Sequence, residues 1–222
     1  MASLKARLPE LQFGGYKISP DEIDRYEQYI VLNPTTSYTW VGTASGGTAG
    51  QAKAYVLTNV LLDYPRNLSI SVTGTADLGG TAHIVGKNQF GDAITEDIGV
   101  GTSAAGTPGG ANDGTKVFAS VSAGTFTYAG VGSGSANLGV GTAEGEVMFG
   151  LPTKIKGTTD VKLITWSKEN VVTTFGGGTI AAQVSTTQHA IIGTAALAGT
   201  ESYVVLFKTT YDAQNEANQA GL

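Results

Sequence analysis

The chain has no cysteine, and only two histidines and two tryptophans occur among its 222 residues. Without cysteine, disulfides and thiolate metal sites are excluded. Zinc asks for three or four ligands, and His83 and His189 are the whole imidazole supply. Neither has a carboxylate or a second histidine at ligand spacing in sequence, so both read as core or surface side chains. Charge is scarce as well, at 14% of residues, with 13 Lys and Arg against 18 Asp and Glu for a net charge of −5. The densest basic stretch, Lys154-Ile155-Lys156, reads as a solvated strand end. No nucleic-acid partner is expected from such a chain. No apolar run approaches the roughly 20 residues of a membrane-spanning helix, and residues 1–10 lack the apolar core of a secretory signal. No membrane partner is expected, and synthesis in the cytosol without export by the general route is.

Catalytic constellations are missing too. No Gly-x-Ser-x-Gly elbow is present. Gly109-Gly-Ala-Asn-Asp-Gly114-Thr115-Lys116 approaches the phosphate-loop pattern, but its last two residue types are inverted and no helical pattern follows. Gly130-Val-Gly132-Ser-Gly134 lacks the rest of a dinucleotide fingerprint. Acidic residues cluster at Asp92 and Glu96-Asp97, and again at Glu144 and Glu146. Calcium would need two such loops to converge and supply six or more oxygens, so solvent-facing charge on edge strands is the expectation. No catalytic residue, metal or cofactor is expected, and the protein is not expected to be an enzyme.

What the chain has in abundance is glycine, at 32 residues, with threonine, serine, alanine and valine. That mixture predicts many short strands joined by tight turns. Leu68, Ile70 and Val72 alternate with polar residues, the period-2 mark of a half-buried strand. Strands are also predicted at 38–41, 54–62, 82–86, 93–100, 116–121, 125–128, 137–141, 146–149, 161–166, 171–174, 179–184 and 203–207. Residues 42–50 read as a loop and 63–66 as a turn. Lys87 to Asp92 carries hairpin chemistry, with Gly91 available for a positive φ. The expected fold class is all-β, a jelly-roll-like sandwich spanning residues 35–210.

Residues 1–34 differ from the rest, being charged, aromatic and poor in glycine. Before Ser19 they read as an extended arm carrying Leu8, Phe13 and Tyr16. Ser19-Pro20-Asp21-Glu22 is a helix start with a capping box, and Ile23, Tyr26 and Ile30 follow at i, i+3 and i+7 to form one apolar helical face. Asn33-Pro34 ends that predicted helix. Residues 211–222 form a polar tail. The six apolar residues Leu8, Phe13, Tyr16, Ile23, Tyr26 and Ile30 are the candidate interface, since aromatic side chains are enriched where proteins meet.

One block looks familiar. Arg66-Asn-Leu-Ser-Ile-Ser-Val-Thr-Gly-Thr-Ala-Asp77, continued by Gly80-Thr-Ala-His-Ile-Val-Gly-Lys-Asn-Gln-Phe-Gly-Asp-Ala-Ile-Thr-Glu-Asp97, then Gly114-Thr-Lys-Val-Phe-Ala-Ser120 and Leu151-Pro152, resembles a recurrent β block in structural proteins of tailed-bacteriophage particles. The resemblance covers Arg66 to about Pro152. It implies a virion protein, most like a capsid decoration (cement) protein on the outer surface of the shell. The partners it implies are the major capsid protein and further copies of the chain, as a homotrimer. A tail-tube, neck or head-fibre component is the alternative within that class. A carbohydrate-binding adhesive domain is the alternative outside it, with Trp40, Tyr128 and Trp166 as sugar-stacking candidates if they do not belong to the core.

Overall fold

The computed structural model describes residues 11–13, 16–18, 26–37, 39–74, 78–102, 110–140, 147–155, 157–168, 171–176, 183–193 and 202–208. In chain order its strands are β1 (Leu11–Phe13), β2 (Tyr16–Ile18), β3 (Tyr26–Leu32), β4 (Gly42–Thr48), β5 (Ala52–Ala54), β6 (Val56–Leu57), β7 (Leu61–Arg66), β8 (Ser69–Gly74), β9 (Leu78–Lys87) and β10 (Ala93–Val100). There follow β11 (Gly110–Asp113), β12 (Phe118–Gly130), β13 (Ser133–Gly139), β14 (Val147–Gly150), β15 (Val161–Lys168), β16 (Val171–Gly176), β17 (Val184–Ser185), β18 (Ala190–Gly193) and β19 (Ser202–Lys208). The helical content of the described residues is one 3₁₀ turn, Thr158–Asp160.

The fold is the expected all-β sandwich. An eight-stranded sheet runs β10-β9-β12-β7-β14-β18-β17, with β5 also on β12, and a five-stranded sheet runs β11-β8-β13-β4-β6. Their inner faces enclose the larger core, to which Ile70 and Val72 of β8, Ile84 of β9, Phe126 and Tyr128 of β12 and Leu138 of β13 contribute fully or almost fully buried side chains. The four-stranded sheet β16-β15-β19-β3 covers a second core. There Val31, Tyr203 and Val205 pack with Phe149 of β14 and Ile191 of β18. The eight-stranded sheet therefore serves both cores, with β7 and β14 where they adjoin.

Pairing follows the side-chain alternation. Ala93↔Lys87 through Val100↔Gly80 is an unbroken antiparallel register between β10 and β9. The Asn88–Asp92 turn between them is held by Asn88 Oδ1, which accepts from the amides of Phe90 and Asp92, each at 2.9 Å. Gly91 there takes φ 85°, a conformation that costs a Cβ-bearing residue energy.

Several expectations are corrected. Residues 26–32 form a strand instead of the C-terminal half of a helix, and they pair with β19 from Tyr26↔Lys208 to Leu32↔Ser202. The physical reason is that Tyr-Glu-Gln-Tyr-Ile-Val-Leu is also rich in aromatic and β-branched residues. Burying Tyr29 and Val31 against the second core outweighs a helical face that would have to find its own partner. The proposed helix start at 19–25 lies outside the described residues. The glycine-rich stretch read as a loop is β4, whereas Trp40 and Val41 lie in the turn before it. Gly47 explains the preference: a Cβ there would collide with the ring of Tyr128. The apolar run 54–62 breaks into pieces of three strands, and the predicted turn 63–66 continues β7. The two strands predicted at 116–128 are one, β12, interrupted by a register shift between Val121 and Ala123.

Candidate functional site

Of the six candidate interface residues, Tyr26 and Ile30 lie on a strand and not on a helical face. Leu8 and Ile23 lie outside the described residues. Phe13 and Tyr16 are register partners between β1 and β2, which form a two-stranded sheet of their own. Tyr26 begins β3, and Ile30 lies four residues further along the same strand. Ile30 points outward and is 44% exposed, as is its outward neighbour Leu32 at 55%. A second exposed apolar group is compact in sequence: Val56 at 76%, Val60 at 47% and Leu61 at 72%. Leu57 and Leu62, between and beside them, pack onto the larger core.

Where the two cores adjoin, the largest wholly buried side chain among the described residues is charged. Arg66 is 0% exposed. Its Nη1 donates to the Thr35 carbonyl at 2.8 Å and its Nη2 to the Val140 carbonyl at 3.3 Å. Asp63 lies 3.7 Å from Nη1, and the guanidinium sits 5.1 Å from the centre of the Phe149 ring, its register partner on β14. Burial pulls the Arg66 pKa down, while the Asp63 carboxylate pulls it back up. Val140 belongs to the larger core and Phe149 to the second, so one side chain joins both.

Glu96 is the other buried charge among the described residues, at 8% exposure. Its neighbours in phase along β10, Ile98 and Val100, are core residues. Oε1 accepts from the Thr115 amide at 2.6 Å, the Thr115 hydroxyl at 3.1 Å and the Lys116 amide at 3.1 Å, and Oε2 is buried without a hydrogen-bond partner. Desolvation raises the carboxyl's pKa, opposed by those same hydrogen bonds. The expectation of solvent-facing charge is thus wrong for Glu96 and right for exposed Asp97. The Gly114-Thr115-Lys116 turn, which resembles a phosphate loop in sequence, is an anion-holding turn whose anion is Glu96. A Cβ at Gly114 would press on the side-chain ends of Glu96 and Ile98, which would have to shift.

The histidines differ from each other. His83 does have a carboxylate neighbour: Asp97 is its register partner across β9–β10, and Nδ1 and Oδ1 are 2.6 Å apart on an exposed face. Sequence distance concealed this pair, which strand register reveals. His189 is held at φ 48°, its Nδ1 accepts from the Ile155 amide at 3.2 Å, and its ring meets Phe90 edge-on at 5.5 Å. Lys154 Nζ lies 5.2 Å from the same Phe90 ring. Burial lowers the His189 pKa, and Lys154 lowers it further. Gln89 and Gln188 complete this polar seam. Gln89 Nε2 donates to the Gln188 carbonyl at 2.8 Å, and Gln188 Oε1 accepts from the Val117 amide at 3.2 Å.

Of the sugar-stacking candidates, Tyr128 is 1% exposed, with its hydroxyl donating to the Ala44 carbonyl at 2.5 Å. Trp40 is partly buried against the larger core, and Trp166 lies on β15. Tyr128 belongs to the core and is no platform for a sugar. No three His, Cys, Asp or Glu side chains among the described residues converge as a metal site would require.

No protein-family model matches the chain, and no curated protein matches it in sequence. Among solved structures, the protein of infectious bursal virus T=1 particles is 13% identical with a TM-score of 0.19, covering 97% of this chain and 47% of that one. A point mutant of VP2 from infectious bursal disease virus, also as T=1 particles, is 12% identical with a TM-score of 0.19, covering 91% and 40%. This chain spans less than half the length of either. The neighbours are viral capsid proteins, and at these TM-scores the likeness carries no argument.

Proposed function

We propose that the protein is a structural component of a tailed-virus particle, specifically a decoration protein that binds the outside of the major capsid shell and stabilises it. The observation that carries this reading is the block Arg66 to Pro152, whose sequence resembles a module of such particles. In the fold this block is β8 to β14, the strands that build most of the larger core. The exposed apolar residues Val56, Val60 and Leu61 fit the reading, because a protein that works by contact needs apolar surface to bury. The polar, glycine- and threonine-rich faces suit a module whose role is mechanical and non-enzymatic. Copies of the chain associate as a homotrimer, with the arm before Ser19 lying between subunits. Stabilisation of the shell follows by mass action, since a ligand that binds only the assembled form shifts the equilibrium toward it. The test is co-sedimentation of the purified chain with empty shells assembled from the major capsid protein of the same genome. Saturable binding to shells, and none to unassembled capsid subunits, is the expected result. Failure to sediment with shells at any concentration overturns the proposal.

A further inference from the structure

We propose that copies of this chain exchange β3, so that β3 of one copy lies beside β19 of the next and carries the arm before Ser19 onto that neighbour. The exchange rests on the homotrimer proposed above and is independent of binding to a shell.

The observation behind it is a two-residue link that is pinned at both ends and bent against its own preference. On the β3 side, the Tyr64 hydroxyl accepts from the Leu32 amide and donates to the Leu32 carbonyl, each at 3.1 Å. On the other side, Asp63 Oδ2 accepts from the Thr35 amide at 2.7 Å, and Arg66 Nη1 donates to the Thr35 carbonyl at 2.8 Å. Three side chains of β7 thus hold the backbone just before and just after Asn33-Pro34. Between these pins Asn33 takes φ 46°, and with His189 it is one of two left-handed residues other than glycine among the described residues. Asparagine enters that region more readily than most residues. The ring of a following proline, however, pushes the residue before it toward extended conformations. The closed turn therefore stores strain at Asn33, which persists because the clasp on either side over-determines it. Short hinges under strain favour exchange of the element they connect, since an extended link relieves them.

What β3 gives up on leaving its own subunit is regained on the next. Its seven register pairs with β19, from Tyr26↔Lys208 to Leu32↔Ser202, and the burial of Val31 in the second core are remade against the partner subunit. Tyr64 of the partner subunit takes Leu32 in the same way. Thr35 stays with Asp63 and Arg66 of its own subunit, so the clasp divides at the hinge and the body of each subunit is left intact. A second copy is the occupant because the place beside β19 is built for this one strand, and the strained turn is the contact that the closed form has and the exchanged form lacks. Passed around a closed ring, the exchange joins subunits at low cost, because it reuses contacts that the fold already contains.

The test uses the full chain carrying Ile30→Cys and Val204→Cys together. These positions are register partners, Ile30 is exposed and Val204 half-buried, and the chain has no cysteine of its own. Paired residues of an antiparallel ladder lie about 4.5–5.5 Å apart at Cα, within the roughly 4.4–6.8 Å range of disulfides. Exchange makes the disulfide join different chains, so a covalent trimer is expected on a non-reducing denaturing gel. A trimer by mass photometry whose oxidised chains run as monomers on that gel overturns the exchange and leaves the homotrimer standing. A monomer by mass photometry overturns both. Two hinge substitutions outside the core then read the strain itself. Asn33→Gly accepts a positive φ without cost, and Pro34→Ala lifts the restriction on residue 33. Each is expected to weaken association by roughly fivefold or more per exchanged strand, whereas the β-branched Asn33→Val is expected to strengthen it. Association unchanged by both Asn33→Gly and Pro34→Ala refutes the strained hinge as its driver.

Discussion

Replacing Arg66 tests how the two cores are joined. The side chain is wholly buried and gives hydrogen bonds to the Thr35 and Val140 carbonyls, an ion pair to Asp63 and a contact with the Phe149 ring. Hydrogen bonds from a charged group contribute about 1.5–3 kcal/mol each, and breaking a buried charged arrangement costs about 3–5 kcal/mol. Against this stands the desolvation of the guanidinium, visible in its lowered pKa and in an Nε that has no hydrogen-bond partner. Arg66→Ala is therefore expected to cost about 3–5 kcal/mol in urea denaturation, a fall in Tm of roughly 6–20 °C for a chain of this size. Arg66→Met keeps the stem against Phe149 and removes the charge, leaving mainly the two carbonyls without donors, so its cost is about 1–3 kcal/mol. If Arg66→Ala costs less than about 1 kcal/mol, or if the methionine variant is as unstable as the alanine variant, the side chain does not join the cores in the way described.

Three further outcomes follow from buried polar groups. Glu96 has a folded-state pKa raised above 4.5, so the native protein holds that proton more tightly than the unfolded chain; stability from this group is full below about pH 4.5 and is lost as pH rises through the higher folded value. Denaturant melts above pH 4.5 should show a steeper decline in the wild type than in Glu96→Gln. His189 is the opposite case: burial lowers its pKa below 6.5, so its contribution is present above about pH 6.5 and lost as pH falls through the folded value. Its positive φ adds a steric test, because Asn tolerates that conformation and a β-branched residue does not. Thermal melts should therefore place His189→Val about 1–3 kcal/mol below His189→Asn. Tyr128→Phe removes a hydroxyl that donates to Ala44 and accepts from the Ala136 amide at 3.2 Å. A loss of about 1–3 kcal/mol is expected in urea denaturation, and a neutral result would mean that water replaces the hydroxyl.

The fold class was legible because alternation and turn chemistry act locally. Residues 93–100 were bounded correctly as β10, and the Asn88–Asp92 turn formed where Gly91 supplied its positive φ. The errors arose where tertiary pairing overrode local preference. Tyr26 to Leu32 carries both a helical and a strand pattern, and only β19, some 170 residues away, decides between them. The glycines of β4 read as loop because nothing nearby in sequence announces the Tyr128 ring that excludes larger side chains. The polar contacts were the least legible. His83 and Asp97 are partners through strand register, and Arg66 with Val140 and Glu96 with Thr115 through tertiary packing that sequence distance hides. One signal was available for Glu96, which stands in phase with Ile94, Ile98 and Val100 on a strand whose inner face is apolar.

Reinforcement of a viral shell from outside is the role proposed for the protein. The most direct measurement is the disassembly temperature of empty capsid shells titrated with the purified chain, followed by light scattering. A rise that saturates at a fixed ratio of protein to capsid subunit is expected, with a smaller rise for a chain lacking residues 1–18. A disassembly temperature that does not move at saturating protein would contradict it.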